Sequence, residues 1–188
     1  MTIETIIKQH LPAYKDLDIS LPIEVTHRTL KANAVLTNYG DIENKIYLLT
    51  EGIVQISILK GEEERILEFV FPGAFFCAYT SFLLKQPSDV QVATLTPCSI
   101  SIINKESLLQ ANQVSLLSNH LSLHIAQQLF LSRAKREKDF LILSAEERYK
   151  ALLEKDTNIL KHIPGNKIAS YLGIRAESLS RIRKGIIP

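Results

Sequence analysis

The chain has no tryptophan, one methionine and only two cysteines in 188 residues. Cys77 and Cys98 show no CxxC spacing, which excludes a zinc knuckle, a disulfide framework and a four-thiolate iron-sulfur cluster. Both lie in apolar stretches, so buried, inert thiols are predicted. Histidine is missing between His27 and His120, which removes the ligand set that a metal-dependent barrel enzyme needs. Neither a phosphate-cradling GxxxxGK[ST] loop nor a GxSxG nucleophile turn occurs. The expectation is no enzyme, no metal and no cofactor. Long apolar runs are missing too: the uncharged stretch Phe69 to Leu84 is interrupted by Pro72 and Gly73 and is too short to span a bilayer. The opening Met1-Thr2-Ile3-Glu4 carries no secretory pattern. No membrane partner and a cytoplasmic location are expected.

Charge is scarce overall, at a net +2, but it is unevenly placed. Residues 1–132 hold 9 Lys/Arg against 13 Asp/Glu, a net −4, whereas residues 133–188 hold 13 against 7, a net +6. Phosphate neutralisation dominates non-specific DNA affinity, so a polyanion would meet the C-terminal end.

The apolar spacing changes twice along the chain. Ile3, Ile6, Ile7 and Leu11 stand at helical spacing before Pro12 and predict a short N-terminal helix. Between about residues 23 and 104, β-rich runs follow one another closely: 34–37, 45–49, 53–59, 65–71, 90–95 and 98–103. Turn signals such as Glu51-Gly52, Lys60-Gly61 and Pro72-Gly73 separate them, as in an antiparallel sandwich or roll. From Lys105 no Pro or Gly occurs until Pro164, which reads as helices. Within 113–139, Leu116, Leu123 and Phe130 recur every seven residues, while Leu117, Leu121, Ile125 and Leu129 recur every four on nearly the opposite side. Such a helix wants two buried faces, one against its own roll and one against a second copy. The rival is a helix buried inside one monomer. His120 and His124, four apart, read as polar helix positions because no third ligand accompanies them. Ser144-Ala145-Glu146-Glu147 has capping-box spacing and opens a further helix.

Residues 163–184 carry two short helical patterns about Leu172-Gly173-Ile174, a helix-turn-helix signature. Ala169 is small where helices must approach, and Gly173 allows the positive φ of a sharp turn. Ile168, Leu172, Ile174, Leu179 and Ile182 supply a core. At 100° per residue, Glu177, Arg181 and Lys184 fall opposite Leu179 and Ile182, with Ser178 and Ser180 at the flanks. Arg reads guanine and Glu reads cytosine in a major groove, and Ser contacts phosphate. Arg175 and Lys167 complete the candidate DNA-binding set.

Order and motifs together resemble the cyclic-AMP receptor and fumarate-nitrate regulator (Crp/Fnr) family of bacterial transcription factors. The residues carrying this are Leu30-Lys31 with Ala34-Val35-Leu36-Thr37 and Gly40-Asp41, Ile46-Tyr47-Leu48-Leu49 with Gly52 and Val54, Gly61, and Phe71 with Gly73, Phe75 and Phe76. The resemblance implies an α+β chain in three parts. These are a cyclic-nucleotide-binding-like jelly-roll sensor (1–112), a long dimerisation helix (113–139) and a helix-turn-helix domain (140–188). It implies a homodimer on a two-fold site in double-stranded DNA, with RNA polymerase as a further partner. Matching Gly173 to the family's turn glycine puts Glu177 and Arg181 at base-contacting positions and Ala176 where a second reading Arg is usual. Residue 175, the family's Ser or Thr N-cap, is Arg here.

The family's effector pocket maps onto Gly73, Phe75, Phe76, Cys77, Ala78, Tyr79, Ser88 and Asp89. Ala78 replaces the Glu that holds the ribose, and Ser88-Asp89 replaces the Arg that holds the cyclic phosphate. No Arg lies between Arg65 and Arg133 and no carboxylate between Glu68 and Asp89. A buried phosphate needs a cation or a nest of donors, so cyclic AMP is not expected to bind, and any small-molecule effector is a different one. The second reading is a ligand-binding or protein-interaction roll whose helix-turn-helix no longer reads DNA.

Overall fold

The computed structural model describes residues 2–155 and 159–186. Helix α1 (Ile3–His10) starts at Thr2, whose Oγ1 accepts from the Thr5 N–H at 3.2 Å, and it buries Ile3, Ile6 and Ile7. A single 3-10 turn, Pro12–Tyr14, follows. Eight strands come next: β1 (Val25–Leu30), β2 (Val35–Thr37), β3 (Lys45–Glu51), β4 (Val54–Lys60), β5 (Glu63–Val70), β6 (Phe75–Phe76), β7 (Val90–Thr94) and β8 (Cys98–Asn104). They form two four-stranded antiparallel sheets, ordered β1-β8-β3-β6 and β2-β7-β4-β5. Ile46, Leu48, Ile100 and Ile103 of the first sheet and Val54, Ile56, Val70 and Val92 of the second share one buried core with α1. This is the antiparallel roll expected from the run spacing, in the jelly-roll-like form that the family resemblance implies.

Gly52, between β3 and β4, shows why glycine is needed at a turn. Its φ is +89°, and a Cβ there would lie 2.3 Å from the Pro97 carbonyl oxygen. Two elements have weak sequence signals. Strand β1 is exposed along most of its length, and α2 (Tyr79–Leu84) begins without a side-chain cap.

Helix α3 (Lys105–Val114) stops at Ser115, whose φ of −136° and ψ of 117° turn the chain. Ser115 Oγ then accepts from the Ser118 N–H at 3.2 Å and opens α4 (Leu116–Ile142). Leu121 and Ile125 of α4 are fully buried against the roll, with Leu117 and Leu129 beside them. Each fully buried aliphatic side chain contributes about 1.5–3 kcal/mol of transfer free energy. The opposite stripe is bare: Leu116, Leu123 and Phe130 are 68%, 57% and 70% exposed. The two histidines of α4 hold the N-terminal segment. His124 stacks on His10 with ring centroids 5.2 Å apart, and His120 Nδ1 bonds Tyr14 OH at 2.8 Å.

The capping box forms as spaced. The Ser144 N–H donates to Glu147 Oε2 at 2.7 Å and the Glu147 N–H donates to Ser144 Oγ at 3.3 Å, opening α5 (Ala145–Lys155). Hydrogen bonding to the Ser144 hydroxyl, and then to the Ser144 N–H, holds the Glu147 carboxyl below its ordinary range. Helices α6 (Ile159–His162), α7 (Gly165–Leu172) and α8 (Ala176–Ile186) complete the described chain. Tyr149, Leu152, Ile163, Ile168, Leu172 and Leu179 form a second core, which continues into Ile53, Ile66 and Phe69 of the roll.

Candidate nucleic-acid interface

The turn between α7 and α8 rests on Gly173, the left-handed C-cap of α7 at φ +70°. Its N–H donates to the Ser170 carbonyl at 3.1 Å and the Ile174 N–H donates to the Ala169 carbonyl at 3.0 Å. Terminal carbonyls of α7 that would otherwise be orphaned are satisfied this way. Ala169 is 3% exposed at the helix contact. Leu179 buries 98% of its surface, Ile182 packs beside it, and α8 is thereby fixed with its other side outward.

That outward side carries most of the residues read as DNA contacts. Arg175, Glu177, Ser180, Arg181 and Lys184 are all exposed, and Ser178 is half-buried. No ion pair involves Arg175, Arg181 or Lys184 among the described residues. Lys167 is placed differently. Its ammonium donates to Gln55 Oε1 at 2.5 Å and lies 3.8 Å from Glu64 Oε2, so it is engaged with the roll. Glu64 in turn accepts from Ser57 Oγ at 2.8 Å. Nothing in the local spacing of α7 separates a phosphate-facing lysine from one pairing with a distant hairpin.

Helix α7 is docked on β5. The Ile66 N–H donates to Ser170 Oγ at 3.0 Å, and the Phe69 and Tyr171 rings lie 5.0 Å apart. Arg136 of α4 ties the same contact, donating to the Tyr171 carbonyl at 2.9 Å and lying 4.1 Å over the Tyr171 ring. Burial lowers the affinity of Arg136 for its proton, yet a guanidinium starts so high that it stays charged. Phe140 sits between Arg136 and Arg148, 4.7 and 4.6 Å from their guanidinium carbons. These two arginines and Phe140 carry no motif and were not singled out by the sequence.

The roll residues matched to the family's effector pocket are mostly packed inward. Phe76, Cys77 and Ala78 are each 1% exposed and Ser88 is 5% exposed. Tyr79 is half-buried, Asp89 is exposed, and Gly73 and Phe75 line a cavity of about 520 Å³ between the roll and α4. Beside them lies a buried carboxylate that the sequence reading missed. Glu43, 4% exposed, accepts from Thr37 Oγ1 and from the Asn44 and Lys45 N–H groups at 3.0 and 2.9 Å. The Tyr47 ring stacks 5.2 Å from Phe76. Burial first, and then the Glu43 charge, push the Cys77 thiol far up. A thiol held protonated is a poor nucleophile.

Comparison with known proteins agrees with this architecture. Residues 27–113 match the family model of the cyclic nucleotide-binding domain. No curated protein matches the chain by sequence. Among solved structures, the c-di-GMP-responsive global regulator CLP of Xanthomonas campestris is 20% identical at a TM-score of 0.65, with 86% of each chain covered. FixK2 of Bradyrhizobium japonicum is 19% identical at 0.68, covering 87% of this chain and 85% of its own. A Crp/Fnr-family protein of Eubacterium rectale is 19% identical at 0.69, covering 93% and 85%. The chain shares the fold of Crp/Fnr regulators. Among the described residues no helix is long and apolar enough to cross a membrane.

Proposed function

We propose that this chain, with a cyclic nucleotide-binding domain match at residues 27–113 and the fold of Crp/Fnr regulators, is a DNA-binding transcription regulator acting as a homodimer. The observation that carries the reading is the outer face of α8. Glu177, Arg181 and Lys184 stand exposed on a helix whose other side is fixed by Leu179 and by the Gly173 turn. Arg181 and Glu177 would read base edges, and Ser180 and Lys184 would take phosphates. Arg175 at the start of α8 would add a phosphate contact, with half-buried Ser178 beside it. Lys167 drops out of the contact set as long as α7 stays docked.

The bare stripe Leu116, Leu123 and Phe130 supports the dimer. A heptad of large apolar side chains left in water is unfavourable, and a second copy of α4 covers it by symmetry. Two reading heads on one coiled coil require a two-fold site with half-sites about 34 Å apart. The packed roll, with the Glu43 carboxylate beside it, supports an effector other than cyclic AMP, or none. The domain division at 112 and 139 follows the same logic of sensor, coupling helix and reader. RNA polymerase is the partner through which such a regulator would act.

The test is duplex binding by fluorescence anisotropy at several salt concentrations. Affinity should fall steeply as salt rises. Arg181→Ala should cost about 1–3 kcal/mol and relax one base position, whereas Lys184→Ala should weaken all sequences alike. Binding that ignores both salt and Arg181→Ala would overturn the reading.

A further inference from the structure

A cavity of about 250 Å³ lies where α4, α5 and α7 meet β5, at the joint between the roll and the C-terminal helices. Its walls are of two kinds. Phe140, Ala151, Leu152 and Tyr171 are apolar, and Lys135, Arg136, Arg148 and Lys155 are cationic. Three carboxylates also face it. Glu68 accepts from Ser132 Oγ at 2.6 Å and Asp139 is paired with Lys135 at 2.9 Å, so two of the three are already held, and Glu154 is the third. The cations outnumber the carboxylates by one. Arg148 donates two bonds, to the Leu143 carbonyl at 2.5 Å and to the Leu172 carbonyl at 3.1 Å, yet among the described residues its buried Nε has no partner. A buried guanidinium N–H without an acceptor is costly, and an anionic oxygen is the group that satisfies it best.

We propose that this joint cavity binds a small organic anion, a carboxylate or phosphate monoester with a flat or short apolar body. With a turn of the Arg148 guanidinium that brings Nε to the cavity wall, the anionic head would accept from it and neutralise Lys155, and the body would lie on Ala151, Leu152 and Tyr171. At about 30 Å³ per water, the cavity of about 250 Å³ has room for about eight waters, or a ligand of roughly that many non-hydrogen atoms. This departs from the roll interior, where Phe76, Cys77 and Ala78 leave little exposed surface. One bound molecule would touch Glu68 of the roll, Arg136 of α4, Arg148 of α5 and Tyr171 of α7 together. It would therefore fix the angle of α7 and α8 to the roll. Only that consequence rests on the DNA-regulator reading.

Benzoate is a suitable probe and benzamide its uncharged counterpart. With the full chain and no DNA present, benzoate should shift the Nε–Hε NMR resonance of Arg148, and benzamide should not. Ala151→Met, which fills the cavity without touching the arginine, should weaken benzoate by about tenfold or more, and Lys155→Ala by a few-fold. No Arg148 shift with benzoate, an equal shift with benzamide, or full benzoate affinity in Ala151→Met would each overturn the site. Because these readouts need no DNA, they fail or succeed independently of the regulator reading. Duplex affinity with and without benzoate then tests the coupling.

Discussion

Replacing Gly173 with alanine probes the turn on which the candidate interface depends. The φ of +70° costs an L-residue about 1–2 kcal/mol, offset by several tenths because alanine loses less chain entropy on folding. The added Cβ would lie 2.9 Å from Phe140 Cε1 and 3.4 Å from Cζ, so the ring must move. Phe140 lies between Arg136 and Arg148, and moving it sacrifices two cation–π contacts of about 0.5–1 kcal/mol each. The sum is about 2 kcal/mol, or a fall of about 4–8 °C in Tm for a chain of this size. Thermal unfolding by circular dichroism measures it. In a Phe140→Ala background the steric part disappears, so Gly173→Ala should then cost only about 1 kcal/mol, a coupling of about 1 kcal/mol in a double-mutant cycle. A Gly173→Ala chain as stable as the parent, or equal costs in both backgrounds, would refute the turn and its contact with Phe140.

Other perturbations separate the two faces of α4 and the buried groups. Leu121→Ala should cost about 2–5 kcal/mol in denaturant unfolding because Leu121 is fully buried, whereas Leu123→Ala, 57% exposed, should leave the monomer's stability nearly unchanged and weaken self-association by sedimentation. Burial, and then the charge of His10, hold the His124 imidazole below its ordinary value. The folded chain therefore binds fewer protons than the unfolded chain between that lowered value and about 6.5, and stability falls as pH drops through this window. His124→Asn should flatten the pH dependence of the denaturation midpoint. Burial raises both thiols, so native alkylation of Cys77 and Cys98 should be far slower than in denaturant, and equal rates would contradict their placement.

Legibility in the sequence followed how local each signal was. Strands β3, β4, β5, β7 and β8 showed as apolar runs between turn residues because both their faces are largely buried. Strand β1, Val-Thr-His-Arg-Thr-Leu, is exposed along most of its length, so its pairing with β8 left no hydrophobic pattern. The α3–α4 break depends on the Ser115 cap alone, with no Pro or Gly to mark it. Helical projection found the exposed Glu177, Arg181 and Lys184 because Leu179 and Ile182 dictate which side of α8 is buried. Projection could not find that Lys167 turns to Gln55, 112 residues away, nor that Arg136, Phe140 and Arg148 converge. Those contacts are set by how α7 sits on β5. The buried Glu43 went unnoticed because a charged residue beside Asp41 and Asn44 reads as a solvated turn.

The most direct measurement of the central claim is selection of duplexes from a random pool by the full chain. An inverted repeat with half-sites one helical turn apart should be enriched, and the enrichment should be lost in Arg181→Ala. No enrichment, or an enriched sequence indifferent to Arg181 and lacking two-fold symmetry, would contradict it.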